Sequence, residues 1–197
     1  RAFAYLDWCI GRFMQRARRE PYFANTIFAF IGDHGISGAT GPHYPPAWRE
    51  LAITQGHTPL LIYAPGRIAP RRIDAWAQQI DVLPTLAALA GIAHRNTTLG
   101  RDLLDPRFDA SRIAFTFHFT GPGELGVLVG NRMLVDKEPA TLHDILGAQP
   151  HRNLLDPASA VDPAEASIAR QWAGFARDYD LIARYLQTHN KRRDAAP

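Results

Sequence analysis

Cysteine is nearly absent from this 197-residue chain: Cys9 stands alone, so no intrachain disulfide can form and cysteine usage leaves the redox compartment open. Set among apolar residues, Cys9 reads as a small buried hydrophobe rather than a nucleophile. Lysine is almost as scarce. Only Lys137 and Lys191 occur, and the net charge of +3 comes almost wholly from arginine. The basic residues form small clusters at Arg16-Ala-Arg-Arg19, Arg71-Arg72 and Lys191-Arg192-Arg193 with no aromatic stacking pattern between them, which argues against a nucleic-acid partner. No run approaches the roughly 18–20 consecutive apolar residues of a membrane span, and none has the pattern of a signal peptide. No internal repeat is visible. Nothing that looks like a nucleophile motif precedes the first apolar strand. The chain opens on Arg1 rather than Met, and its first segment reads as mid-domain helix. The expectation is therefore the C-terminal portion of a longer protein, with any membrane association carried by the part before Arg1.

What is present is ordinary for a folded domain: 46% hydrophobic and 21% charged residues argue against wholesale disorder. The length suits one well-buried domain, or one with a small appendage. Residues 2–19 place Phe3, Leu6, Ile10, Phe13, Met14 and Ala17 at the spacing of a helix with one buried face, stopped by Pro21. Thr26–Ile31 is an apolar strand, as expected in a sheet covered on both faces. A glycine- and proline-rich loop follows to about Pro46, then a short amphipathic piece from Trp48 to Ile53 and a second strand, Pro59–Ala64. Residues 81–92 read as a helix with Asp81 as N-cap, Pro84 in the first turn and Gly91 as the stop. The order helix, strand, loop, strand, helix predicts an α/β fold with a mainly parallel sheet.

Beyond residue 110 the pattern changes. Ile113–Phe119 alternates, and Gly126–Val135 reads as two strands about a Gly130-Asn131 turn, which together predict a small antiparallel sheet. A helix from about Pro163 to Gln187 carries Ile168, Trp172, Phe175, Tyr179, Ile182 and Leu186 on one face, ahead of a polar tail. Three regions result: 1–110, 111–160 and 161–197.

Chemistry concentrates at Gly32-Asp33-His34-Gly35, directly after the first strand. In open α/β sheets the carboxyl ends of strands are where ligands bind. Asp33 offers a hard oxygen and His34 an imidazole nitrogen, a pair suited to zinc or manganese. The flanking glycines are read as allowing a sharp backbone turn. His43, in the same loop, reads either as a surface histidine or as a second-metal ligand or donor to a substrate oxyanion. His57, just before the second strand, is either a structural histidine or a residue facing the same sheet edge. Arg49 reads as a solvated arginine or as a bidentate anion binder. His94, His118, His143 and His151 have no motif support and read as structural.

Three ordered motifs carry a resemblance: Thr26-Ile-Phe-Ala-Phe-Ile-Gly-Asp-His-Gly35, His57-Thr-Pro-Leu-Leu-Ile-Tyr-Ala-Pro-Gly66, and Gln79-Ile-Asp-Val-Leu-Pro-Thr-Leu86 with Ala90-Gly-Ile92. Together they resemble sulfatase-like enzymes of the alkaline phosphatase superfamily. With Tyr5-Leu-Asp-Trp8, the nearest likeness is to bacterial lipoteichoic acid synthases and phosphoglycerol transferases. Leu142-His-Asp-Ile145 with Asn153-Leu154 is similar to the segment that closes many sulfatase domains.

The resemblance implies that residues 1–110 are the C-terminal part of an alkaline-phosphatase-like α/β catalytic domain, with 111–160 as its antiparallel subdomain. It implies that Asp33 and His34 hold a divalent ion, with manganese or zinc favoured over calcium or magnesium. His43 roughly matches a loop histidine that contacts substrate phosphate or a second zinc, and His57 and Arg49 are the other substrate-binding candidates. Asp81 and Pro84 match a signature with a structural role. The implied substrate is an anionic phosphodiester, such as a phosphoglycerol head group, or a sulfate ester. The implied location of the parent is the cell envelope, at the periplasmic or extracytoplasmic face of the inner membrane. The family's Thr, Ser or formylglycine nucleophile and first acidic metal ligand have no matching position here, so this chain alone is expected to be inactive and marginally stable. A sulfate-ester hydrolase and a non-catalytic fragment or pseudoenzyme are the competing readings.

Overall fold

A computed structural model describes residues 1–36, 38, 41, 44–117 and 124–190. In chain order the elements are α1 (Ala2–Ala17), β1 (Phe28–Ile31), α2 (Pro46–Glu50), α3 (Ile53–Gly56), β2 (Leu60–Tyr63), α4 (Val82–Leu89), β3 (Ala114–Phe117), β4 (Leu125–Val129), β5 (Arg132–Asp136), β6 (Thr141–Asp144) and α5 (Pro163–His189). Two compact units divide the chain, Arg1–Asp33 with Thr58–Ile73 and His34–His57 with Asp74–Pro197. No helix among the described residues is long and apolar enough to cross a membrane.

In the first unit β1 and β2 form a two-stranded sheet, with Phe28 opposite Tyr63 and Ile31 opposite Leu60. The pairing is antiparallel. A parallel pair needs a crossover helix that returns the chain to the same end of the sheet. Among the described residues, the helices between these strands are the short α2 and α3. Phe28 is buried against the rings of Phe13, Phe23 and Tyr63. Little else in this unit is covered. On α1 only Ala17 is buried, Ile10, Met14 and Cys9 are half-buried, and Phe3, Leu6 and Phe13 of the expected inner face are exposed. Ala29 and Ile31 of β1 are exposed as well, so the strand predicted to be covered on both faces is not. Apolar pattern reports a tendency to be buried. The surface that satisfies it is a separate matter.

The second unit contains a four-stranded antiparallel sheet in the order β3-β4-β5-β6. Its alternating side chains build two apolar layers. On one face Ala114, Leu128, Met133, Val135 and Ile145 pack with Ile53 of α3 and with half-buried Trp48, Leu51 and Trp76. On the other face Leu125, Val127, Leu134 and Leu142 meet Ala169, Ala176 and Trp172 of α5. Each fully buried Leu, Val or Met contributes about 1.5–3 kcal/mol of transfer free energy. The β4–β5 hairpin turns at Gly130, whose φ of 57° is costly for a side chain bearing Cβ. α5 begins at Asp162, whose side chain accepts a hydrogen bond from the Ala164 amide at 2.8 Å. Its later residues Leu181, Ile182 and Tyr185 are exposed.

Asp81 refines a sequence expectation. It stands at the N-cap position of α4, as the sequence suggests, but its side chain caps no amide of that helix. Its carboxylate is fully buried and accepts from the Gln78 and Arg101 amides, each at 2.8 Å. With Gln78 it forms a capping box around a 3-10 turn, Gln79–Asp81, that precedes α4. Thr85 continues the clamp, donating to the Asp81 carbonyl at 2.6 Å and accepting from the Leu103 amide at 2.9 Å. Gly100 lies so close that a Cβ there would overlap the Ile80 carbonyl oxygen. Asp81, Thr85 and Gly100 therefore hold the segment after α4 onto its N-terminus. Asn153 does a similar service in the closing motif, where its side-chain oxygen accepts from the Leu142 and Leu155 amides at 3.0 Å each.

Candidate functional site

Asp33 follows β1 directly and is exposed, the last residue of the first unit. Gly32 before it binds the Pro59 carbonyl through its amide at 3.3 Å, and a Cβ there would come within 3.1 Å of the Thr58 Cβ. His34 opens the second unit and is exposed. Its Nδ1 lies 2.8 Å from the Gly35 carbonyl oxygen. A carbonyl oxygen only accepts, so this bond places the proton on Nδ1 and the imidazole lone pair on Nε2. Gly35 in turn donates its amide to the Gln55 carbonyl at 2.7 Å. A Cβ on Gly35 would overlap the Thr54 carbonyl oxygen. Neither Gly32 nor Gly35 adopts a positive φ. Close approach of backbone, and not a sharp turn, is what requires glycine here.

His57 terminates α3, its amide donating to Ile53 at 2.8 Å. Its ring meets Trp48 edge-on at 5.0 Å and Trp76 at 6.3 Å between centroids. Burial beside these indoles pushes its pKa below the ordinary histidine value. Trp76 donates its indole N–H to the Gly130 carbonyl at 2.7 Å. Tyr44 completes the aromatic group, 6.2 Å from Trp48. Arg49 is exposed on α2. His43 lies outside the described residues. Sequence reasoning missed Trp48 and Trp76 as neighbours of His57, because they are distant from one another in the chain and only the sheet face brings them together.

The remaining histidines divide between surface and core. His151 pairs with Glu50 at 2.7 Å and His94 contacts the Ile92 carbonyl at 3.0 Å, while His118 lies outside the described residues. His143 is buried on β6, and its Nδ1 has no hydrogen-bond partner among the described residues. Burial, then the charge of Lys137, lowers its pKa. A cleft of about 590 Å³ opens in the second unit between Pro45-Pro46 and residues 145–152, and His34, His57 and Arg49 are not among its lining residues. Among the described residues no three His, Cys, Asp or Glu side chains come together to hold an ion. By donor chemistry alone, a carboxylate and an imidazole suit zinc or manganese, which need further ligands besides these two.

Residues 1–92 match the family model described as Sulfatase. A sulfatase of Formosa agariphila is 30% identical over 90 residues, covering 45% of this chain and 17% of its own length. A choline-sulfatase of Rhizobium meliloti is 34% identical over 93 residues, covering 46% of this chain and 17% of its own. The chain thus spans less than a fifth of the length of these relatives. Among solved structures, a phosphonate monoester hydrolase from Silicibacter pomeroyi superposes with a TM-score of 0.60 at 23% identity, over 86% of this chain and 38% of that one. The chain has the α/β fold of that structure, as a fragment of it, with a C-terminal antiparallel sheet and terminal helix.

Proposed function

We propose that this chain is the C-terminal share of a metal-dependent ester hydrolase of sulfatase type. Asp33 and His34 each supply one ligand to a divalent ion, and the nucleophile and remaining ligands come from outside residues 1–197. One observation carries the reading. The stretch that matches the sulfatase family contains Gly32-Asp33-His34-Gly35 directly after β1, with the His34 lone pair on Nε2. A bound ion of this kind stabilises charge developing on an ester oxygen and lowers the pKa of the attacking group. His57, whose pKa burial lowers, serves as a hydrogen-bond partner for a substrate oxygen, and Arg49 and His43 supply charge complementarity to an anionic ester.

The named relatives favour a sulfate ester as substrate. A second reading is transfer or hydrolysis at a phosphodiester, such as a phosphoglycerol head group at the cell envelope. The imidazole at His34 favours it, because nitrogen ligands suit manganese or zinc better than calcium or magnesium. Metal analysis of the full-length protein by mass spectrometry tests the common core of both. Stoichiometric manganese or zinc is expected in the wild type, with at least a tenfold loss in Asp33→Ala and His34→Ala. Wild-type protein without stoichiometric metal would sink the proposal. Turnover of 4-nitrophenyl sulfate against bis(4-nitrophenyl) phosphate then decides the ester. This chain alone should turn over neither.

A further inference from the structure

We infer that Gly35, seated on α3, is the positioning residue that sets the tautomer and orientation of His34. The inference rests on the reading of His34 as a metal ligand but adds a device that the ligand pair does not require. Unrestrained neutral imidazole exchanges its proton between two nitrogens, and only the nitrogen without it can bind a metal. Here the Gly35 carbonyl, 2.8 Å from Nδ1, selects the Nδ1–H form and leaves the lone pair on Nε2. Imidazole ligands commonly donate their other N–H to a carboxylate or carbonyl, and losing that partner typically weakens metal affinity or activity by about 10- to 100-fold.

Two features fix the Gly35 carbonyl itself. Its own amide is held by the Gln55 carbonyl at 2.7 Å, and its lack of a Cβ lets the backbone lie against Thr54. Thr54 is 3% exposed and Ile53 5%, so the part of α3 beneath Gly35 is anchored in the core of the second unit. That anchoring is built at a cost. Ala52, just before α3, takes a left-handed conformation with φ 53° and ψ 17°, which a residue with Cβ adopts reluctantly. The break at Ala52 separates α2 from α3 and gives α3 its own direction. The path runs from the packed core through α3 and the Gly35 backbone to the His34 ring.

The test is ring-nitrogen NMR of 15N-histidine-labelled protein, with metal removed by chelation. His34 is expected as the Nδ1–H tautomer, whereas dominance of Nε2–H in the wild type would overturn the inference. In Gly35→Ala, His34 should lose its Nδ1–H preference, and zinc affinity of the full-length protein should fall about 10- to 100-fold. Retention of both by a folded variant would also overturn it. Should Gly35→Ala fail to fold, the wild-type tautomer still decides. Zinc added to the wild type separates this inference from the functional proposal. A shift at His34 Nε2 supports both, whereas an Nδ1–H ring that does not respond to zinc counts against the ligand role and leaves the Gly35 restraint standing.

Discussion

The two units differ in how far each satisfies its own apolar surface. In the second, Met133, Leu134, Leu142 and Ile145 have no exposed area, and both faces of the sheet are covered. In the first, Leu61 of β2 is 61% exposed, Phe3 75% and Trp8 58%. The first unit also carries β1 and Asp33, the strand and the acidic residue of the Gly-Asp-His-Gly motif. The family match runs through both units, since residues 34–57 and 74–92 belong to the second and Ile53, Trp48 and Trp76 join its core. The poorly covered part is residues 1–33 with 58–73, and the better core forms around the antiparallel sheet beyond residue 92.

The sharpest way to break this contrast is truncation of one apolar strand residue in each unit, buried Leu134 in the second and exposed Leu61 in the first. Leu134→Ala should destabilise the second unit by about 2–5 kcal/mol in urea unfolding, through lost transfer energy and the cavity left behind. Leu61→Ala should change stability by no more than about 0.5 kcal/mol. Equal effects would show that exposure does not distinguish the units. Asp81→Ala comes next. It leaves the Gln78 and Arg101 amides without an acceptor in a fully buried place, at about 1–3 kcal/mol for each orphaned donor.

Acid should weaken the second unit through His143. Its folded-state pKa lies below the ordinary histidine value, so the unfolded chain binds the proton more readily. The stabilising contribution is fully present above about pH 6.5 and is lost as pH falls through that value toward the lower folded pKa. Melting temperatures between pH 7.5 and 5 should show this slope, and His143→Leu should flatten it. The smallest expected effect is at Arg177, whose pair with Asp136 at 3.2 Å lies on the surface. Arg177→Ala should lower the melting temperature only slightly, and not at all in high salt. Hydrogen exchange gives an independent view of the same contrast. Amides of β4 and β5 should exchange slowest, and those of β1 and β2 much faster.

Much of the architecture was legible because it is encoded locally. Alternation and the Gly130-Asn131 pair located the hairpin of β4 and β5. Pro163 marked the start of α5. The apolar runs located β1 and β2, each two residues or fewer from its observed ends. What escaped sequence reasoning depends on partners far along the chain. Asp81 has the right type and position for an N-cap, yet its second acceptor bond goes to Arg101, which no local pattern announces. β6 pairs with β5 within a motif that reads in sequence only as a closing segment. The stripe on α1 has helical spacing, but spacing does not say whether any surface within the chain covers it.

By itself, the sequence determined the order of helices and strands, the α/β class with its antiparallel appendage, and the presence of an Asp-His pair after the first strand. These follow from side-chain period, turn chemistry and motif order, all properties of neighbouring residues. Tertiary structure alone decided the antiparallel pairing of β1 with β2, the clamp around Asp81, and the aromatic neighbours of His57. It also decided why Gly35 must be glycine. In each case the energy comes from contact between segments distant in sequence, where close approach and burial determine which residue a position accepts.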